Sequence, residues 1–173
     1  TPADWTKDVD WLSAVQNLSG KLNCDFYDLL AVMYLETNKT MNPAIKNPKS
    51  SATGLIQFME KTAKGLGTST AQLAGMTRVQ QHVYVEKYFM QSGIKNVSSP
   101  TLGDVYMAVF APVGIGKADS YVLYSLANSS AEYQANVLYD KPPYGNGDGK
   151  ITKGEATAAL ATFKAEVKRK MGV

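Results

Sequence analysis

The residue with the strongest chemical signature in this chain is Glu36. Leu29, Val32, Met33 and Glu36 recur at i, i+3, i+4 and i+7, the spacing of one helix face, so the acid continues a stripe that is otherwise apolar. Apolar neighbours disfavour a carboxylate, and the unpaired carbonyls at a helix C-terminus disfavour it further, so both effects raise the pKa. A glutamate held protonated near neutral pH is a proton donor suited to general-acid work. The same position also fits a plainer reading, in which the side chain reaches past the apolar surface to water or pairs with Lys39. The next segment favours a cleft wall: residues 37–43 leave the helix, Asn47-Pro48 and Ser50-Ser51 prolong the loop, and residues 54–58 read as a short strand or hairpin edge.

Glu36-Thr37, Asn42-Pro43-Ala44, Ser51-Ala52-Thr53-Gly54-Leu55-Ile56-Gln57-Phe58-Met59 and Thr62-Ala63 together resemble the signature of the soluble lytic transglycosylases and their phage relatives. The likeness spans about 28 residues and keeps order and spacing. It implies a lysozyme-like fold, with a small β-hairpin beside the active-site cleft. The implied activity is cleavage of the β-1,4 bond between N-acetylmuramic acid and N-acetylglucosamine in peptidoglycan. By position, Glu36 is then the acid/base, and Thr37, standing where a serine usually contacts that glutamate, is a substrate-side residue. Gln57 is the cleft-side glutamine, with Phe58 and Met59 beside it on the substrate side. The family's late Ala-Tyr-Asn-Ala-Gly block is absent. Its best counterpart is Ala108-Val109-Phe110-Ala111-Pro112, and Tyr106, one turn earlier, is the group expected to reach the cleft instead. Glu60 stands where the family often has proline.

A two-carboxylate hydrolase needs its acid pair about 5 Å apart if retaining and roughly 6.5–9.5 Å if inverting. No Asp or Glu lies between Glu36 and Glu60, and the best remote partner is Glu86, on a partly apolar helix face with Val79, His82 and Val83. With one convincing acid, the mechanism that the resemblance implies is a lytic transglycosylation. Glu36 protonates the glycosidic oxygen, then takes a proton from the sugar's own hydroxyl, and an anhydro-muramoyl end forms without water. A hydrolytic muramidase is the nearest alternative. A cysteine peptidase of the wall stems would use Cys24, ahead of a helix, with His82 as base, although Asp25 opposes the thiolate. A single histidine without His-Glu-x-x-His cannot build a zinc peptidase. A non-catalytic wall-binding domain is a further alternative.

Residues 146–155, Asn-Gly-Asp-Gly-Lys-Ile-Thr-Lys-Gly-Glu, match an EF-hand loop at its third, fifth, sixth, eighth and twelfth positions. Tyr144 stands at the first position, where an aspartate is needed, unless Asp140 folds in across Lys141-Pro142-Pro143. No cofactor is expected, apart from a calcium ion held by Asp140, Asn146, Asp148 and Glu155. The competing reading is a metal-free turn with Glu155 as a helix cap.

These residues must be positioned by a chain of 173 residues, which suits one domain, 1–173, with the EF-hand-like loop and C-terminal helix in 135–173. One cysteine excludes an internal disulfide. A net charge of +3 and a pI near 8.8 allow some attraction to the anionic cell envelope. No basic stripe interleaved with aromatics and no phosphate loop points to nucleic acid, and the basic run at 164–170 reads as a solvated helix face. The chain opens Thr1-Pro2, as if processed, with no secretory or membrane-crossing run. The expected partner is the peptidoglycan glycan strand, bound by a monomer. Together with the phage-like Gly-Leu-Ile-Gln-Phe-Met block, this places the expected action on the bacterial wall, in periplasm or outside the cell, as a phage-encoded lysin or virion-associated protein.

Periodicity and caps predict at least six helices. The first carries Val9, Leu12 and Val15 and ends at Ser19-Gly20. The second opens with an Asp25–Asp28 capping box, with Phe26 and Leu30 inward, and a short one covers 60–64. Others run over 77–90, from Thr101–Asp104 to Pro112, from Ser129–Glu132 through Val137, and from Thr152–Glu155, where Ala156, Leu160, Phe163 and Val167 mark the buried side. With a hairpin near Gly54, the fold class is α+β, predominantly α-helical. Ten tyrosines and two tryptophans offer sugar-stacking faces, although aromatics at helical spacing are usually core.

Overall fold

The computed structural model describes residues 2–173. Its helices are α1 (Val9–Leu22), α2 (Phe26–Glu36), α3 (Glu60–Gly65), α4 (Thr70–Ala74), α5 (Arg78–Gln91), α6 (Leu102–Phe110), α7 (Ser130–Ala135), α8 (Lys153–Thr157) and α9 (Leu160–Lys170). Strands β1 (Val122–Ser125) and β2 (Lys150–Thr152) pair antiparallel, so the chain is a predominantly helical α+β protein. No helix among the described residues is long and apolar enough to cross a membrane.

At the centre lies α2. Leu29, Leu30, Ala31, Val32, Met33 and Tyr34 are buried in succession, so α2 is enclosed on every side rather than on one face. Its most extensive neighbour is α9, with α1 and α6 also against it. Tyr34 meets Phe163 edge-on at 6.0 Å, Lys164 reaches Asp28 at 2.8 Å, and Lys39 pairs with Glu166 at 3.2 Å. Lys39 is therefore taken by α9.

Local signals are obeyed where the chain itself supplies both partners. Thr101 with Asp104 and Thr152 with Glu155 form reciprocal capping boxes, and Thr77 with Gln80 forms another at the start of α5. Other expectations need correction. Helix α1 runs through Gly20 and stops at Asn23, whose left-handed φ of 54° turns the chain. Asp25 alone caps α2, accepting from the Tyr27 N–H, because Asp28 is buried and turned toward Lys164. Ser129 places no side-chain cap on α7, since its hydroxyl bonds with the Ser125 backbone. The final helical region divides into α8 and α9.

The hairpin expected near Gly54 is also displaced. Residues 53–58 form a tight turn closed by two reciprocal backbone bonds between Thr53 and Phe58, at 3.0 and 2.9 Å, with one further bridge from Thr53 to Lys46. Left-handed φ values at Gly54 (86°) and Gln57 (55°) bend the segment too sharply for a ladder. The sheet forms instead between β1 and the EF-hand-like segment, and the aromatic and β-branched run Tyr121-Val122-Leu123-Tyr124 is the strand signal at β1.

Two buried ion pairs fasten this framework. Arg78 donates to Asp8 at 2.8 Å and to the carbonyls of Met41 and Pro2, tying α5, the N-terminal segment and the loop after α2. Lys153 lies 2.5 Å from Asp104, joining α8 to α6, and also donates to the Lys117 carbonyl. Burial raises the Asp104 pKa, but Lys153 and the amides of Thr101 and Gly116 outweigh it and hold the group below its ordinary value. Lys153→Met should cost about 3–5 kcal/mol, because it strands a buried charge. A Lys153→Met/Asp104→Asn double variant should cost clearly less. Denaturant unfolding of the three proteins measures this, with equal losses counting against the pair.

Candidate active site

Glu36 is the last residue of α2, and its position is set by the way the chain leaves the helix. The Thr37 hydroxyl donates to the Met33 carbonyl at 2.7 Å and accepts from the Met41 N–H at 2.9 Å. Asn38, Lys39 and Met41 take left-handed φ values, an exit tight enough to leave Glu36 at the rim of the core. Thr37 is fully buried, so the substrate contact expected of it is corrected: its hydroxyl fixes the loop and faces no ligand.

Part of the Glu36 side chain reaches the surface, while its carboxyl lies among protein atoms deeply enough for burial to push its pKa up to about 7. Burial is the whole cause; no cation or second carboxylate contributes. No described residue forms an ion pair with it. Three phenols lie within reach of its charge. Burial chiefly, and the Glu36 carboxylate among lesser causes, raise the pKa values of Tyr88, Tyr106 and Tyr139, so all three stay protonated hydrogen-bond donors at neutral pH. The Tyr106 and Tyr139 hydroxyls are 2.8 Å apart, and Tyr106 stacks on Phe110 with 5.2 Å between ring centres. Tyr88 donates to the Ala108 carbonyl at 2.6 Å.

The segment 54–59 forms another wall. Gln57, Phe58, Met59, Thr62 and Tyr88 line a depression of about 80 Å³. Phe58 is buried and meets Tyr88 edge-on, whereas Met59 is exposed. The Gln57 amide nitrogen donates to the Gly54 carbonyl at 3.0 Å, which braces its side chain against its own turn. Gln81 holds this wall from beneath: fully buried, it accepts from the Leu55 N–H at 2.7 Å and donates to the carbonyls of Pro43 and Leu73. A Cβ at Gly54 would overlap the Gln81 amide, so only glycine fits there. A depression of about 460 Å³ shares Thr62 and Tyr88 with this one, and another of about 360 Å³ is bounded by Leu35, Tyr139 and Tyr144; Glu36 lines none of the three.

The Glu36 carboxylate helps to raise the pKa values of Tyr88, Tyr106 and Tyr139, and Tyr88 lines the depression that holds Gln57, Phe58 and Met59, while Phe58 and Tyr106 are themselves buried; Tyr88, Tyr139 and Gln81 are groups that sequence reasoning misses. On α5, Tyr88 has the spacing of ordinary core, and nothing local distinguishes Tyr139 or Gln81. Glu86 is not a second acid beside Glu36, since it pairs with Lys21. The cysteine peptidase arrangement fails. Burial, then Asp28 and Asp25, push the Cys24 thiol up to about 12, and both buried His82 nitrogens lack a hydrogen-bond partner.

In the EF-hand-like loop, the four candidate ligands accept from protein donors. Asp140, fully buried, takes the Tyr133 hydroxyl at 2.6 Å and the amides of Gly147, Asp148 and Gly149. Asn146 accepts from the Asp148 N–H, Asp148 from the Lys150 N–H, and Glu155 from the amides of Thr152 and Asn146. Among the described residues, no three His, Cys, Asp or Glu side chains converge as a metal site. The loop is closed by hydrogen bonds to Asp140.

No protein-family model matches this chain, and no curated protein matches it. The functional reading therefore stands on the local geometry around Glu36.

Because folding favours protonated Glu36, its contribution to stability is complete below about pH 4 and is lost as pH rises toward 7. Glu36→Gln has no such group. The stability advantage of Glu36→Gln over the parent should grow from pH 4 to pH 8, by at most about 3 kcal/mol after allowance for solvent screening. Unfolding curves at the two pH values measure it, and a pH-independent difference would contradict the buried-acid assignment.

Proposed function

We propose that this protein is a peptidoglycan-cleaving enzyme of the lytic transglycosylase type, with Glu36 as its single acid/base. One observation carries the reading: a carboxyl without a counter-charge, protonated up to about pH 7 through burial alone, among aromatic walls at the end of a central helix. Part of the segment that resembles the transglycosylase signature, Gln57, Phe58, Met59 and Thr62, shares a depression with Tyr88, whose pKa the Glu36 carboxylate helps to raise, which supports the same assignment.

In the proposed reaction, the Glu36 carboxyl donates its proton to the glycosidic oxygen as the bond to the muramoyl carbon breaks. The carboxylate left behind takes the proton of the muramoyl 6-hydroxyl, whose oxygen closes on that carbon. The acid is regenerated and a 1,6-anhydro end is released. Positioned proton transfer supplies about 10²–10⁴ in rate. A site in which no second carboxylate contributes to the acid's pKa favours this internal attack over a hydrolysis that needs a base to activate water. Tyr88 spends its hydroxyl hydrogen on the Ala108 carbonyl and one of Tyr106 and Tyr139 spends its own on the other, which leaves one phenol hydrogen of that pair as a donor to the carboxylate during its brief charged state. The bacterial wall as the place of action and a phage origin follow from the same resemblance.

Glu36→Gln should lower lysis of purified sacculi by at least about a hundredfold while wall binding persists. Retained lysis would exclude the acid. Loss of binding as well as lysis would point to misfolding, which circular dichroism checks. Parental activity should fall as pH rises through about 7. Mass spectra of the released muropeptides should carry anhydro ends, whereas reducing ends would assign hydrolysis.

A further inference from the structure

Helices α1 and α5 lie side by side, tied at both ends of their seam. At one end the Arg78 guanidinium meets Asp8 at 2.8 Å, and both are buried. At the other end Lys21 reaches Oε1 of Glu86 at 2.5 Å, and both side chains are partly open to solvent. Between these ties, one helical turn from Arg78 and one from Glu86, stands His82, the chain's single histidine. Its side chain is buried, and neither ring nitrogen makes a hydrogen bond. The Ala14 carbonyl of α1 faces the ring, and Oε2 of Glu86 lies 4.0 Å from Nε2.

A neutral imidazole carries one N–H and one bare nitrogen, and in this seam both are dry. A proton changes what the seam must satisfy. The imidazolium has two N–H donors and a positive charge, which a dry environment disfavours unless an anion lies against it. Burial lowers the His82 pKa from its ordinary 6.5, Glu86 and the Ala14 carbonyl raise it, and Lys21 lowers it. Glu86 on α5 and Lys21 on α1 are therefore the charged groups that act on the ring. The Asp8–Arg78 pair at the far end of the seam and Lys95 beyond α5 do not contribute. Once His82 is charged, one carboxylate faces two cations, and closing the 4.0 Å gap draws it inward, away from Lys21.

We propose that His82 is an acid-operated latch: on taking a proton it draws the Glu86 carboxylate from Lys21 to itself, a tie within α5 replaces the tie to α1, and the Lys21 end of the seam opens. The latch works the same way whatever reaction Glu36 performs. An opened seam binds the proton more readily than a closed one, so the closed form is fully stabilised above about pH 6.5 and weakens as pH falls through that value. Glu36 acts in the opposite sense, since its contribution is lost as pH rises toward 7.

With one histidine in the chain, the imidazole signal of isotope-labelled protein reports His82 alone. Between pH 8 and pH 5, exchange protection of the Leu18, Ser19 and Leu22 amides, corrected for intrinsic rates, should fall in step with that titration, by up to about tenfold per pH unit. Amides of α6 should keep theirs. Lys21→Met removes the competing cation and should raise the His82 midpoint, whereas Glu86→Gln removes the anion and should lower it. Both variants lack the tie at every pH, so at pH 8 they should already show the low α1 protection that the parent reaches at pH 5. His82→Gln should hold its α1 protection down to pH 5. Lys21 and Glu86 are partly exposed, so their variants decide the matter even where His82→Gln fails to fold. Midpoints that move in opposite directions support the latch. Midpoints that move together or stay fixed, α1 protection that ignores the titration, or a loss shared equally by α6 overturns it.

Discussion

Holding a carboxyl group out of water without a cation beside it is the constraint around which this protein is arranged. Elsewhere in the fold buried charge is compensated: Asp104 has Lys153, Asp8 has Arg78, and Asp28 has Lys164. At Glu36 there is no such partner among the described residues, so the group settles toward its neutral form. That outcome requires apolar enclosure of α2 on all sides and a helix that ends at the acid.

The supports of that arrangement are shared rather than duplicated. Arg78 binds both Asp8 and the Met41 carbonyl, and Met41 also donates its amide to Thr37, so the loop after Glu36 is fixed from two sides. Gln81, three residues along α5, braces the opposite wall through Leu55 and Pro43. Helix α5 thus ties the loop after the acid to the 54–59 segment, and Tyr88, two turns further on, lines both depressions.

Much of this is legible in the sequence, and the failures share a cause. Capping boxes at Thr101 and Thr152 and the apolar stripe ending at Glu36 depend on residues a few positions apart, and the structure follows them. Gly20 has the type of a helix stop, but a helix tolerates one glycine when its neighbours are buried, and the true end is the left-handed Asn23. Thr37 has the sequence position of a substrate contact because it follows the acid, and only packing reveals that its hydroxyl faces inward. Tyr139 and Gln81 act through partners 33 and 26 residues away, at Tyr106 and Leu55, and no local pattern encodes such meetings. Residues 146–155 show the reverse case: the ligand pattern is visible, but the pull of Asp140 on three loop amides is not.

The packing of α9 against α2 bears on the order in which the molecule comes into being. Phe163, Lys164 and Glu166, the last of them 127 residues after its partner Lys39, are the residues that enclose Tyr34, Asp28 and Lys39. During synthesis, a nascent chain that has released α2 but not α9 lacks the surface that shuts water away from the helix. The side of α2 that carries Tyr34 should therefore be closed only after Val167 has left the ribosome and α9 can dock.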